Sequence, residues 1–386
     1  MYISRIAEKS IQESLNNKKV LLLLGARQVG KTTIAKQVLQ QQDVGFINLD
    51  SQIEKEKIMA ASALSPTEAI KSLGGHKILV IDEAQRLPEI SQTVKSWYDL
   101  GAPIKIILSG SSSLNLLNQS AESLTGRNEK VFLPPLVFSE ILAVQEWYSE
   151  NYHKNILIKN FAKQLEALLL DNLVFGSFPE VVTSADKTKL LSNLVSDYLL
   201  KDVFQFGLVK SPETIRRLLM LLAYQVGSIV SINELSISLG IARPTVERYI
   251  DLLKETFIIF SLPAWSANPR KEISKSQKIY FWDTGVRNAL ISEFSTNAMR
   301  ADIGQLWEAW VVAEFAKQNL LNGQKKQLYF WRSKTGSEVD LIVKENEKLD
   351  AYEIKWQKKS FKKTAFDDRY QTKVKLIDHS NPLIAL

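Results

Sequence analysis

The sequence predicts an α/β fold: a parallel-sheet core, then helices that include a helix-turn-helix, then a second α/β region. Three observations predict it. KKVLLLLGARQVGKTTIAKQVLQ (residues 18–40) runs from an unbroken apolar strand through a glycine loop into a helix. KILVIDEAQ (77–85) and IKIILSG (104–110) are apolar runs ending in polar residues, the pattern of buried parallel strands that deliver side chains to a crevice at their C-terminal ends. SEVDLIVKENEKLDAYEIKW (337–356) reads as two short strands joined by a turn, with carboxylates and a lysine spaced along them.

At 386 residues the chain exceeds one ordinary core, so two to three domains are expected. Hydrophobic residues at 45% and charged residues at 24% exclude a disordered chain. The longest apolar runs, such as VLLLL (20–24), fall far short of a membrane span, and MYISRIAEKSIQES lacks the apolar stretch of a secretory signal. A cytoplasmic protein without a membrane partner is the expectation. With no cysteine there are no disulfides or thiolate metal sites, and three scattered histidines (His76, His153, His379) argue against a histidine zinc site. A net charge of +7 favours contact with polyanions. The charge is densest in KWQKKSFKKTAFDDRYQTKVK (355–375), which reads either as a basic face interleaved with aromatics or as a helix with solvated lysines.

Residues 18–40 carry G-x-x-x-x-G-K-T as Gly25, Gly30, Lys31 and Thr32. Glycines let backbone N–H groups curl around phosphate oxygens, and the following helix adds its positive end. Gly25, Ala26, Arg27, Gln28, Val29, Gly30, Lys31, Thr32 and Thr33 are therefore the candidate nucleotide cradle. In this motif the lysine reaches the β- and γ-phosphates and the hydroxyl holds Mg²⁺, so ATP and Mg²⁺ are the expected cofactors. VGFINLD (44–50) follows as a second strand. KILVIDEAQ then brings Asp82 to the magnesium shell and Glu83 to the attacking water, and IKIILSG brings Ser109 to sense or orient that water.

These stretches resemble the AAA+ ATPases, and among them a prokaryotic group related to archaeal and origin-recognition ATPases. GARQVGKTT, VIDEAQRLP, LSGSSS, and SLTGR followed by LPPLVFSE carry the resemblance. It implies Lys31 and Thr32 as the Walker A pair, Asp82 and Glu83 as the Walker B pair, and Ser109 as the first sensor. Arg127 of SLTGR is the candidate arginine finger or sensor, because charge on the γ-phosphate in the transition state needs a guanidinium nearby. The competing reading is a surface arginine that closes a loop. Arg27 is a second candidate for an electrostatic role. A finger would come from a neighbouring copy, which makes a homo-oligomer an expectation.

Residues 151–215 read as helices broken by GSFPEVV (176–182), a segment the same group carries. NELSISLGIARPTVERYIDLLKET (233–256) has the shape of a helix-turn-helix, its first helix ending at Gly240 and Arg243-Pro244 opening the second. Val246, Ile250 and Leu253 recur at helical spacing and should face the core. That leaves Arg243, Thr245 and Arg248 to meet a DNA groove, with FIIFSLPAW (257–265) supplying winged strands. Glu247, Asp251 and Glu255 on or near the same face would repel phosphate, so a winged helix used only for packing competes.

SKSQKIYFWDTGVRNAL (274–290), GQLWEAWVVAEF (304–315) and YFWRSKTGSEVD (329–340) match the C-terminal region of this ATPase group, whose last domain is similar to PD-(D/E)XK nucleases. The similarity implies Glu308 as the helix acid, Asp340 as the strand acid, and Glu353 with Lys355 as the E-x-K pair. Two or three carboxylates suffice for Mg²⁺, which keeps several waters, and a lysine can orient one of them. The plain alternative is charges alternating on a solvated strand.

The expected organisation is an AAA+ P-loop domain (1–150), a helical lid or bridge (151–215), a winged helix-turn-helix (216–268) and a restriction-endonuclease-like α/β domain (269–386). The function expected is ATP-driven engagement of DNA, with a metal-dependent cutting site at the C-terminus. The rival is a nucleotide-controlled protein-interaction module with a degenerate nuclease fold.

Overall fold

A computed structural model of the chain describes residues 1–111, 124–199, 211–266, 277–333, 336–357 and 365–385. They form two compact units, residues 2–134 with 255–257, and residues 135–254 with 258–386. The last two serines of LSGSSS, and the serine of SLTGR, lie outside the described residues.

In the first unit, β1 (Val20–Leu24), β2 (Val44–Asn48), β3 (Ile78–Asp82), β4 (Lys105–Gly110) and β5 (Asn128–Phe132) form a sheet in the order β2-β3-β4-β1-β5. Every pairing is parallel. Helices α1 (Ala7–Leu15), α2 (Lys31–Leu39), α3 (Gln52–Ser62), α4 (Pro66–Ser72) and α5 (Ile90–Asp99) belong to the same unit. All five residues of β1 are buried, which explains an apolar run without alternation. Each buried leucine there contributes at most about 1.5–3 kcal/mol. Because β1 and β3 both flank β4, the phosphate loop after Leu24, the end of β3 at Asp82 and Ser109 on β4 open on the same sheet edge.

The second unit starts with α6 (Phe138–Leu142), α7 (Lys154–Asn160), α8 (Ala162–Phe175), α9 (Pro179–Thr183) and α10 (Lys187–Asn193). Next come α11 (Pro212–Tyr224), α12 (Ile232–Leu239) and α13 (Arg243–Glu255). Gly240, in the left-handed region, ends α12 as its sequence predicts, and Val246, Ile250 and Leu253 are buried. β6 (Ile259–Pro263) pairs antiparallel with β7 (Gln277–Phe281), so this ribbon joins strands on both sides of the expected boundary at 268/269. α14 (Thr284–Leu290) and α15 (Ile303–Leu321) follow. β8 (Gln327–Arg332), β9 (Glu338–Glu345), β10 (Lys348–Ile354) and β11 (Val374–Ile377) form a second sheet in the order β11-β10-β9-β8. Its pairings are antiparallel except β10 with β11. α16 (Ala365–Tyr370) packs Phe366 edge-on against Trp331, with ring centroids 5.3 Å apart. Of the lysine-rich stretch, residues 355–357 continue from β10 and 365–370 are helical, while 358–364 lie outside the described residues.

α15 is buried almost all round, including an ion pair of Glu314 and Lys317 at 2.6 Å. Buried charges persist only when further hydrogen bonds satisfy them. Here Lys317 Nζ also donates to Leu136 O (2.9 Å) and Ser177 Oγ (3.0 Å), and Glu314 Oε2 accepts the Phe138 N–H (2.9 Å). Asp283 caps α14 by accepting the Val286 N–H and also takes the Ser177 N–H and hydroxyl. LPPLVFSE and GSFPEVV thus meet α14 and α15 in one buried polar joint. Among the described residues no helix is long and apolar enough to cross a membrane.

Candidate functional site

The loop between β1 and α2 is shaped by two glycines. A Cβ on Gly25 would lie 2.1 Å from Leu133 O, so no other residue fits. Gly30 adopts φ +94° and caps α2, so the positive end of the helix follows the loop directly. Lys31, 6% exposed, donates from Nζ to Gly25 O and Ala26 O, both at 2.9 Å. Its ammonium is held by neutral carbonyls of the cradle itself, which a phosphate can replace.

Asp82 ends β3 and accepts from two hydroxyls: Thr32 Oγ1 donates to Oδ2 at 2.5 Å, and Ser109 Oγ donates to Oδ1. The oxygen donors of Thr32 and Asp82 fit Mg²⁺, which prefers hard oxygen ligands and keeps waters or phosphate oxygens for its remaining positions. Bound there, Mg²⁺ would draw charge from the β- and γ-phosphates. Glu83, in the left-handed region at φ 53°, receives Gln85 Nε2 at 2.6 Å, and the same nitrogen lies 3.1 Å from Ser111 Oγ. Burial raises the Glu83 carboxyl, opposed by Lys31 and assisted by Asp82. A carboxylate with raised proton affinity is suited to accept a proton from water near neutral pH. Arg27 approaches Asp50 at 3.8 Å, and Arg86 pairs with the same acid at 2.8 Å.

Arg127 sits just before β5, and the Val20 N–H at the start of β1 donates to its carbonyl. That is the opposite end of β1 from the phosphate loop, a strand of about 16 Å. Its guanidinium grips Asp99 at the end of α5 through Nε (2.5 Å) and Nη2 (3.1 Å), which raises its pKa further. From this end of the strand it stands away from the phosphate loop of its own chain. Arg5 was not legible as a functional residue. It is buried, and it donates to Val29 O in the phosphate loop (2.9 Å) and to Pro134 O (2.7 Å). Its partners lie 24 and 129 residues away, so no local pattern marks it.

In the second unit, β9 and β10 form the expected hairpin, and continuing its register sets Asp340 opposite Glu353. Asp340 Oδ2 accepts the Ile354 N–H at 2.8 Å and lies 3.4 Å from Lys355 Nζ, which is also 2.7 Å from Glu353 Oε1. Glu308 on α15 joins them, and the structure adds Glu338, two residues before Asp340 on β9, together with Lys278 and Tyr280, which the hairpin could not reveal. Lys278 Nζ lies 3.1 Å from Glu308 Oε1 and 2.6 Å from Glu338 Oε1, and Tyr280 OH donates to Glu308 Oε1 at 2.7 Å. Glu308 is pushed up to about 7, first by burial and then by Asp340, against the opposing pull of Lys278 and Tyr280. Burial likewise raises Glu353, whose Oε2 has no hydrogen-bond partner among the described residues. Among the described residues no three acidic or histidine side chains are grouped as a metal ion requires. As arranged, these residues do not fit Mg²⁺.

On α13, Arg243 and Arg248 are exposed and Thr245 is half-buried, with Glu247 and Asp251 exposed nearby. Arg243 Nη2 donates to Asn233 Oδ1 on α12, and Arg248 lies 5.7 Å from the Tyr249 ring.

A parallel sheet with the phosphate loop after the interior strand β1 and an acidic pair at the end of β3 defines the first unit as a P-loop nucleotide-binding fold. More narrowly, residues 17–142 match the AAA domain family, which supports an AAA-type ATPase. Residues 166–297 and 303–379 match two domains of unknown function, DUF8612 and DUF4143. An uncharacterized protein of Mycobacterium tuberculosis is 27% identical over 354 residues, covering 91% of this chain and 73% of that protein. An uncharacterized protein of Methanocaldococcus jannaschii is 26% identical over 361 residues, covering 90% and 77%. Among solved structures, a Walker-type ATPase of Pyrococcus abyssi shares the fold with a TM-score of 0.52 at 18% identity, covering 75% of this chain and 96% of that one. The resemblance carried by GARQVGKTT and VIDEAQRLP therefore holds at the level of the AAA domain.

Proposed function

We propose that the protein binds and hydrolyses ATP in its first unit and uses the nucleotide state to engage DNA through its second. The observation that carries this reading is the gathering of Lys31, Thr32, Asp82, Glu83 and Ser109 around the glycine loop at one sheet edge. Lys31 exchanges its carbonyls for the β- and γ-phosphates. Thr32 and Asp82 hold Mg²⁺, Glu83 takes the proton of the attacking water, and Ser109 orders Asp82. Arg127 supplies transition-state charge to a neighbouring copy, so the working form is a homo-oligomer. α11 to α13 with the β6–β7 ribbon act as a winged helix that presents Arg243, Thr245 and Arg248 to DNA.

A second reading has an observation in its favour. The exposed acids Glu247 and Asp251 beside those arginines suit a protein partner, in which case the chain is a nucleotide-controlled interaction module. ATP turnover measured with and without single-stranded, duplex and four-way-junction DNA separates the two. DNA engagement predicts stimulation by at least one of them. Reversing Arg243 and Arg248 to Glu should then weaken binding and reduce the salt slope by about 2, one counterion equivalent for each arginine withdrawn from a phosphate. ATP turnover indifferent to all three DNAs leaves the interaction module.

A further inference from the structure

Each acid expected to bind a metal is in contact with a lysine. Lys278 is 2% exposed on β7, and its ammonium lies between Glu308 of α15 and Glu338 of β9. Tyr280, two residues along the same strand and hence on the same face, donates to the Glu308 oxygen that Lys278 contacts. Lys355 makes the matching bridge between Asp340 and Glu353. The four carboxylates thus share two ammonium groups, each lysine bridging two strands or a strand and a helix. The Glu308 carboxylate is backed closely by main chain, since a Cβ on Gly227 would stand 3.1 Å from Oε1. A divalent ion would need several oxygens around one point together with its own waters. Here a tethered cation stands between two of the acids, and the main chain closes one side.

We propose that Lys278 is the resident cation of this cluster: its ammonium holds the place a divalent metal would take, so the folded protein carries no metal there and does not cut phosphodiesters. The acids keep a purpose without a metal. Glu308 and Glu338 bind Lys278 and so tie the β6–β7 ribbon to α15 and to the C-terminal sheet.

Titration of the nucleotide-free, full-length protein with Mn²⁺, followed by calorimetry and by the loss of free-ion paramagnetic signal, tests this. The parent and Asp340→Asn should bind Mn²⁺ identically, because no equivalent depends on the cluster. Lys278→Met keeps the apolar stem and removes the charge. It should gain one equivalent, which disappears again when Asp340→Asn is added. An equivalent in the parent that Asp340→Asn abolishes overturns the proposal, as does Mn²⁺- or Mg²⁺-dependent cutting of duplex, single-stranded or branched DNA by the parent. A folded Lys278→Met protein that gains no site overturns it too. Should Lys278→Met fail to fold, the comparison of parent with Asp340→Asn decides alone. The titration contains no nucleotide, so its outcome is independent of whether the first unit hydrolyses ATP.

Discussion

At the end of β3, Asp82 is held by two hydroxyls, those of Thr32 and Ser109, while the nearby ammonium of Lys31 rests on backbone carbonyls. On β9 and β10, Asp340 and Glu353 share the ammonium of Lys355, and Glu308 and Glu338 share that of Lys278. Both regions are carboxylates on strands with a lysine close by, and their sequences look alike in kind. The difference lies in what neutralises the acid. A hydroxyl leaves a carboxylate with its full charge, so a metal cation still gains by approaching, and the metal and Lys31 together can then meet a phosphate. An ammonium already between two carboxylates reduces that gain and occupies the space, and displacing Lys278 would leave a buried lysine unpaired. In the first region the lysine meets carbonyls of the loop, whereas in the second each lysine bridges two acids.

The largest effect should come from Arg127, if the first site depends on a neighbouring copy. Loss of a working arginine finger costs roughly 10³–10⁵ in rate. Arg127→Ala should fall by that order, and mixing it with Lys31→Ala should restore part of the activity, since each protein supplies the group the other lacks. A rate within a few-fold of the parent means that the Arg127–Asp99 pair only closes a loop. Next in size is Glu83→Gln. It keeps the shape and removes the proton acceptor, so turnover should drop by roughly 10²–10⁴ while ATP binding persists. Equilibrium binding of labelled ATP alongside phosphate release separates the two quantities. Normal turnover in this variant would assign the base elsewhere.

What the sequence made legible follows from the range of the interactions. β1, the glycine loop and α2 are contiguous, and their pattern is enforced by local geometry and burial, so the cradle could be placed residue by residue. The pairing of Asp340 with Glu353 was readable for the same reason, because a two-residue turn fixes a hairpin register. Lys278 was not. Its partners lie 30 residues away on α15 and 60 away on β9, and only the alternation of Lys278 and Tyr280 on QKIYF hinted at a shared polar face on a buried strand. The same limit hid the β6–β7 ribbon, whose strands fall on either side of a boundary placed from the resemblance of residues 274–290 to the group's C-terminal region. It also hid the joint around Glu314 and Lys317, where LPPLVFSE and GSFPEVV turn out to be packing partners of a distant helix.

The smaller effects separate the two lysines of the C-terminal cluster. Lys278 is almost wholly buried, and Lys278→Ala leaves Glu308 and Glu338 without their shared cation, an outcome that costs roughly 3–5 kcal/mol when a buried pair is broken. The Lys355 side chain is 44% exposed, so water and salt screen its contacts with Asp340 and Glu353. Asp340 also keeps the Ile354 N–H when Lys355 is removed. Lys355→Ala should therefore cost no more than about 1 kcal/mol, the range of exposed ion pairs. Urea denaturation read by tryptophan fluorescence reports both, and 0.5 M NaCl should shrink the Lys355 difference while leaving that of Lys278 nearly intact. Equal costs for the two variants would break the distinction drawn from their burial. If Lys355 instead serves a live metal centre, its loss will appear as abolished DNA cutting with little change in stability, and the cluster will have to be regrouped with the Asp82 site.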